Sequence, residues 1–174
     1  MKTIRIVLVI TALCAVTSAQ PNSSSAAEQR FFNLEDAVQN RVDLSDAELA
    51  ALAADDYFKG ASQPSTSKLT QDGLEAAVVH LCGSSERDLV VVGDGALYAG
   101  AHIGPFWIIR DLPSGPAIVL STVSLGLTIE TGRSNKCLNV ETFTANAVEG
   151  TTTDLRFNGQ KYVVSKQKTA KLGQ

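Results

Sequence analysis

From Leu74 onward, hydrophobic and polar residues alternate with a period close to two, in short runs that are mostly rich in β-branched side chains. Clusters of glycine, proline, asparagine and serine separate these runs and supply turns. We assign strands to residues 77–82, 88–93, 106–112, 117–123, 125–131, 137–144, 152–157 and 161–165. No long helical pattern lies between them, so the pattern predicts a meandering antiparallel sheet of about seven or eight strands. The Asn158–Gly159 pair is the strongest hairpin signal.

Residues 74–81 fit two patterns. Leu74, Ala77, Val78 and Leu81 share one face of a short helix, but the segment is short and contains paired valines. We therefore favour a strand, in which His80 is a satisfied core or half-buried residue on the same face as Val78.

The segment from Phe31 to Gly60 follows helical spacing instead. Ser45 and Glu48 form the pattern of a capping box, in which the serine hydroxyl accepts from the Glu48 N–H and the glutamate reaches back. Apolar residues then recur at helical spacing, at Leu49, Leu52, Ala53 and Tyr57. We also expect a shorter helix capped by Asn33.

The predicted fold class is α+β, with an N-terminal helical segment packed on the antiparallel sheet. The boundaries follow from shifts in composition. They are a signal peptide over 1–19, a flexible leader over 20–30, a helical segment over 31–62, a linker over 63–73, an antiparallel β domain over 74–166 and a C-terminal tail over 167–174.

The first nineteen residues have the pattern of a secretory signal peptide. Lys2 and Arg5 precede an apolar run of about a dozen residues, which is too short to span a membrane, and small residues end at Ala19. We expect cleavage after Ala19 and a periplasmic or secreted protein. Without Lys2 and Arg5, 13 basic residues face 18 acidic ones, a net charge of −5. This balance argues against nucleic-acid binding, and no second apolar run is long enough for a transmembrane segment.

Two cysteines, Cys82 and Cys137, remain after the signal peptide. In an exported chain an even number of cysteines favours a disulfide. Two buried thiols are the alternative, and a metal or redox role is a third, although two cysteines and two distant histidines supply few ligands for zinc.

Motifs for catalysis are weak in this sequence. Gly83 to Glu86 lacks the spacing of a hydrolase nucleophile elbow, and the glycines after Val92 lack the spacing of a dinucleotide-binding turn. The paired carboxylates fall on the helical segment, where they favour the helix dipole or form a solvated face. We expect no catalytic residue, no cofactor and no metal.

The segment from Ala99 to Gly115 contains the single tryptophan and one of the two histidines. Its strand places Phe106 and Ile108 on one face and Trp107 and Ile109 on the other, so Trp107 is predicted to lie in the core rather than to form a ligand platform. Loops before this strand and before Cys137 supply the candidate binding residues. These are Tyr98, His102, Arg133, Ser134, Asn135 and Lys136.

Two marks give the chain a resemblance to a group of small exported proteins of Gram-negative bacteria. The first is the strand Gly104-Pro105-Phe106-Trp107-Ile108, followed by a turn and an apolar hairpin. The second is the ending Phe157-Asn158-Gly159 with Tyr162. The likeness covers about Asp88 to Val163 and implies export and a β-rich fold, but no reaction. The chain departs from the group's pattern at residues 135–139, where Cys137 stands.

These observations favour an exported, non-catalytic envelope protein that binds a macromolecular partner, either a protein or the cell wall. An inhibitor, an immunity protein or an accessory factor would fit. The alternatives are a cell-wall or polysaccharide hydrolase and a structural envelope domain. A hydrolase would need a concave site with a perturbed acid or base, whereas a structural domain would expose an apolar patch or an unpaired strand edge.

Overall fold

Ten strands and two short helices form the protein in the computed structural model, which describes residues 28–60, 69–83, 85–94 and 103–173. The strands are β1 (Phe31–Asn33), β2 (Arg41–Val42), β3 (Leu74–Val79), β4 (Asp88–Gly93), β5 (Gly104–Leu112), β6 (Gly115–Ser124), β7 (Gly126–Ser134), β8 (Cys137–Ala145), β9 (Glu149–Phe157) and β10 (Tyr162–Lys171). The helices are α1 (Asp46–Ala53) and α2 (Asp56–Gly60).

The strands are divided between two five-stranded antiparallel sheets. We call the first, in the order β2-β3-β4-β5-β6, the inner sheet, and the second, in the order β1-β7-β8-β9-β10, the outer sheet. The chain passes from the outer to the inner sheet between β1 and β2, and back to the outer sheet at Leu125, between β6 and β7. The prediction of one sheet of seven or eight strands was therefore wrong in number and arrangement, because alternation identifies strands without identifying their neighbours.

The middle strands of the inner sheet are buried on both faces, above all β4 and the first six residues of β5. Phe106 and Ile108 point into a core shared with the outer sheet, where they meet residues such as Leu127. Trp107 and Ile109 point the other way, into a second core closed by the helical segment. This alternation along β5 confirms the predicted orientation of the strand. The resulting order of layers is outer sheet, inner sheet and helices.

Trp107 is fully buried and anchors the helices to the inner sheet. Its indole Nε1 donates to Asp55 Oδ1 at 3.2 Å, and its ring stacks on Phe58 with the centroids 5.4 Å apart. The predicted core role of this tryptophan is confirmed.

Helix α1 begins as the sequence indicates. Ser45 accepts from the Glu48 N–H through its side chain, and the Glu48 carboxylate accepts from the Ser45 N–H at 2.6 Å. The shorter helix expected after Asn33 is wrong, because residues 34–40 form bends and turns between β1 and β2. Before them, residues 31–33 form β1, with Phe32 buried opposite Leu127. The Asn33 side chain caps a turn instead.

Three further predictions about the strands are confirmed or corrected by the structure. The strand β10 continues to Lys171, so no tail begins at residue 167. Strand β3 is confirmed, but it ends at Val79, and His80 lies beyond it with an exposed side chain close to Glu28. The Asn158–Gly159 hairpin is confirmed, with a loop of four residues in which Gly159 has a φ of 104°.

Cys82 and Cys137 form a disulfide. It joins the segment after β3, in the inner sheet, to the first residue of β8, in the outer sheet. Beside it the Leu138 N–H donates to the Leu81 carbonyl at 2.9 Å. The bond therefore links the two sheets at one end of the sandwich, which we call the disulfide end.

The predicted signal peptide and most of the predicted linker lie outside the described residues. Within the described ranges, neither helix is long and apolar enough to cross a membrane.

Replacing both cysteines, Cys82→Ser with Cys137→Ser, is expected to lower the free energy of unfolding by about 4 kcal/mol, because the disulfide restricts an unfolded loop spanning 55 positions. Urea denaturation followed by Trp107 fluorescence measures the change. A reducing agent should destabilise the wild-type protein to the same extent and leave the double variant unaffected. Equal stability of the oxidised wild type and the double variant would contradict the expectation.

Candidate functional site

Two phenylalanine side chains are exposed together at the end of the sandwich opposite the disulfide. Phe32 points into the core, so Phe31 beside it points outward from β1 and is 53% exposed. Phe143 is 39% exposed and lies near the C-terminal end of β8. The two side chains lie on either side of Gly126, which pairs with Phe143 in the sheet. We call this end of the sandwich the groove end.

Gly126 allows the Phe31 side chain to approach the backbone of the sheet. A Cβ atom at this position would lie 3.1 Å from Phe31 Cε2 and 3.2 Å from the Phe32 carbonyl oxygen, closer than ordinary contacts. Leu34 and Leu125 complete a groove of about 280 Å³ between the two phenylalanines. We call it the apolar groove.

A second cavity, the polar cleft, lies next to the apolar groove. It has a volume of about 410 Å³ and shares Asn33, Leu34 and Glu35 with the groove. Glu75 is its central carboxylate, and Arg41 Nη1 pairs with Glu75 Oε1 at 2.9 Å.

The other Glu75 oxygen accepts from the Val38 N–H at 3.0 Å. This carboxylate therefore holds the segment after β1 against β3. The cleft is lined by further acidic residues, Glu35, Asp36 and Asp94.

Three carboxylates lie on the face of the outer sheet that points away from the inner sheet, which we call the open face. Glu130, Glu141 and Asp154 line a shallow hollow of about 230 Å³. Burial raises the pKa of Glu141, and the negative charges of Glu130 and Asp154 raise it further, while Lys168 partly opposes them. Negative charge is therefore concentrated at the middle of the open face.

At the disulfide end, by contrast, the buried carboxylates are held by arginines. Asp88 is fully buried; it accepts from Arg110 Nε at 2.9 Å and from the Leu81 N–H at 3.0 Å. Burial raises the pKa of Asp88, and these donors offset only part of that effect. Arg110 also pairs with Glu86 and lies over the ring of Phe157.

Glu48 is held in the same manner at the start of α1. Burial opposes its ionisation, but hydrogen bonds from Ser45 and Arg87 outweigh burial, so the pKa of Glu48 lies below its ordinary value. Arg87 Nη1 bonds Glu48 at 2.5 Å and Asp111 at 2.7 Å. These ion pairs connect the helix to β5 and serve the fold.

One group among the described residues has the spacing of metal ligands: Cys82, Glu86 and Asp88. Its sulfur is bound in the disulfide, and both carboxylates pair with Arg110. The three residues therefore form part of the structural network at the disulfide end.

The structure describes four of the six predicted binding residues. Tyr98 and His102 lie outside the described residues, so their place in a site stays a prediction. Residues 133–136 lie at the disulfide end, where the chain turns from β7 to β8.

In this turn the predicted residues mostly support the backbone. Arg133 Nη1 donates to the carbonyls of Leu81 and Lys136, at 3.3 and 2.7 Å. Asn135 Nδ2 donates to the Phe157 carbonyl at 2.7 Å. Asn135 and Lys136 both have positive φ, which suits a two-residue hairpin loop, and Ser134 pairs with Cys137 across it.

Phe31 and Phe143 were missed from the sequence. Each lies in a strand, where a phenylalanine is ordinarily a core residue. One signal in the sequence indicates that Phe143 is exposed. Phe143 stands between Thr142 and Thr144, and alternation along the strand directs its side chain to the face opposite that of Val140.

No family model, no curated protein and no solved structure matches this chain. The resemblance to small exported proteins therefore stays an expectation from the sequence.

Glu141→Gln is expected to raise the free energy of unfolding at pH 7 by about 0.5 kcal/mol, because it removes one of three neighbouring negative charges. The pKa of Glu141 is raised in the folded protein, so its ionisation opposes folding. The gain should therefore grow as the pH rises from the ordinary value of 4.5 through the raised pKa, and should vanish at lower pH.

Urea denaturation at several pH values measures this difference. The matched control is Glu149→Gln, whose cross-strand neighbour is Lys171 rather than an acidic residue, and it should give no gain. A Glu141→Gln variant no more stable than the wild type at pH 7 would count against repulsion on the open face.

Proposed function

We propose that this protein is an exported, non-catalytic binding protein of the bacterial envelope, and that a partner protein docks at the apolar groove. The observation that carries the proposal is the paired exposure of Phe31 and Phe143 on either side of this groove. Exposed aromatic side chains beside a concave apolar surface are typical of the energetic centre of a protein interface.

The lining of the groove favours an apolar protein side chain over a sugar as the anchor. Four of its seven lining residues carry large hydrophobic side chains, whereas a sugar needs several convergent hydrogen-bonding groups for its hydroxyls. The polar lining residues are Asn33 and Glu35, and the adjoining cleft adds Asp36 and Asp94, while Arg41 balances Glu75 there. We therefore infer an apolar anchor flanked by lysine or arginine on the partner surface.

A binding role is favoured over hydrolysis by the state of the carboxylates. Glu75 is paired with Arg41 in the polar cleft, and the buried Asp88 and Glu48 are held by Arg110 and Arg87. Each of these groups already has a structural partner. A hydrolase would need an acid and a base directed into a cavity. The raised pKa of Glu141, in the hollow of the open face, is the feature that would favour this alternative.

Export is supported by two features. The disulfide between Cys82 and Cys137 suits an oxidising compartment, and residues 1–19 have the composition of a signal peptide. A periplasmic or secreted location is compatible with both.

The proposal is tested by incorporating the photo-crosslinking residue benzoylphenylalanine at position 31 in the living cell. The matched control is incorporation at Leu112, which is 38% exposed at the disulfide end. We expect a discrete cross-linked protein from position 31 and not from position 112, because only the former lies in the groove.

The captured protein is then purified and its affinity measured. Phe31→Ser and Phe143→Ser are each expected to weaken binding by about 2 kcal/mol, because each removes an aromatic anchor. Leu112→Ser should leave the affinity unchanged. Cross-links of equal yield from both positions, or full affinity in both phenylalanine variants, would reject the groove as the docking site.

A further inference from the structure

The outer edge of β10 is a long strand edge with no neighbour among the described residues. β10 has ten residues and ends the order of the outer sheet, and only Tyr162 of its side chains is buried. The groove-end strand β1 closes the other edge of that sheet. The apolar groove has no lining residue on β10, although Phe143 of the groove and Leu172, directly after β10, both lie against Gly150.

The backbone of β10 has hydrogen-bonding groups directed away from the sheet. The Leu172 N–H donates to the Val148 carbonyl at 2.7 Å, so this residue faces β9. Because hydrogen bonding alternates along an antiparallel strand, Lys168 and Ala170 also face β9, and the N–H and C=O groups of Gln167, Thr169 and Lys171 point outward. An extended peptide could pair with these groups.

The charge around this edge is positive in an otherwise acidic protein. Residues 149–171 carry five basic and two acidic side chains, although the whole chain has a net charge of −3. The lysines on β10 itself are Lys166, Lys168 and Lys171, and all three are exposed. Asp154 and Glu149 lie opposite Lys166 and Lys171 on β9, and Lys168 interacts electrostatically with Glu141. These carboxylates offset part of the charge, and residues 149–171 still carry three more basic than acidic side chains.

These lysines decide which strand can pair there. A second copy of β10 would bring lysines against lysines, and such like charges oppose pairing between edge strands. An acidic strand would instead place carboxylates beside them, while its backbone completes the sheet.

We propose that β10 binds an extended acidic polypeptide segment, which joins the outer sheet as a sixth strand. This binding site consists of the backbone edge and the lysines of β10, none of which lines the apolar groove.

The experiment uses the mature protein and three capped ten-residue peptides labelled with a fluorophore. The first alternates valine with glutamate, and the second alternates valine with lysine. The third has the same charge as the first but contains prolines, which lack the backbone N–H groups needed for hydrogen bonds between strands. Fluorescence anisotropy at fixed ionic strength measures each dissociation constant.

We expect the glutamate peptide to bind, the lysine peptide not to bind, and the proline-containing peptide to bind at least about tenfold more weakly than the first. On the protein, Thr169→Pro should cause a similar loss, because it removes an outward N–H. Thr169→Val is the matched control and should retain binding. Both variants remove the hydroxyl that bonds Thr151, so they differ mainly in that N–H.

A second variant avoids introducing proline into the strand. The double substitution Lys168→Glu and Lys171→Glu should reverse the preference of the protein, so that it binds the lysine peptide more tightly than the glutamate peptide. If the first and third peptides bound equally well, charge alone would account for the binding, and the proposal would be overturned. Failure of the glutamate peptide to bind the wild-type protein would overturn it as well.

Discussion

Burial of the middle strands of the inner sheet on both faces is the constraint on which the rest of the structure depends. Every residue of β4 is buried, and β5 directs Phe106 to one core and Trp107 to the other. Such a sheet needs apolar cover on each side. The outer sheet covers one face and the helical segment covers the other. The outer sheet then has one face left to interact with its surroundings, and this face carries the exposed phenylalanines and the carboxylates.

The two ends of the sandwich therefore differ in the kinds of side chain they present. At the disulfide end, Asp88, Arg110 and the cysteines bind the two sheets together, and the hairpin of residues 133–136 is held by its own side chains. At the groove end, apolar side chains remain exposed around Gly126. The charged network and the exposed apolar side chains are therefore separated in space, so a substitution at the groove end need not disturb the ion pairs of the disulfide end.

Local patterns were sufficient to predict much of this fold. The strands β4 to β9, helix α1 with its Ser45–Glu48 cap, and the opposite orientations of Phe106 and Trp107 follow from periods of two and 3.6 residues. The division into two sheets and the strand β1 do not, because β1 has three residues and pairs with Thr128, almost a hundred positions away. The exposed phenylalanines escaped prediction for the same reason, since their burial depends on which strands lie beside them.

The disulfide also makes a covalent ring of the chain from Cys82 to Cys137, and this ring contains strands of both sheets. A protease that cuts once anywhere between residues 83 and 136 would leave two fragments still joined through sulfur. Those fragments would keep their high effective concentration and remain paired. The protein can thus remain a single molecule after one cut in a loop of this ring, and the two fragments would separate only after the disulfide is reduced.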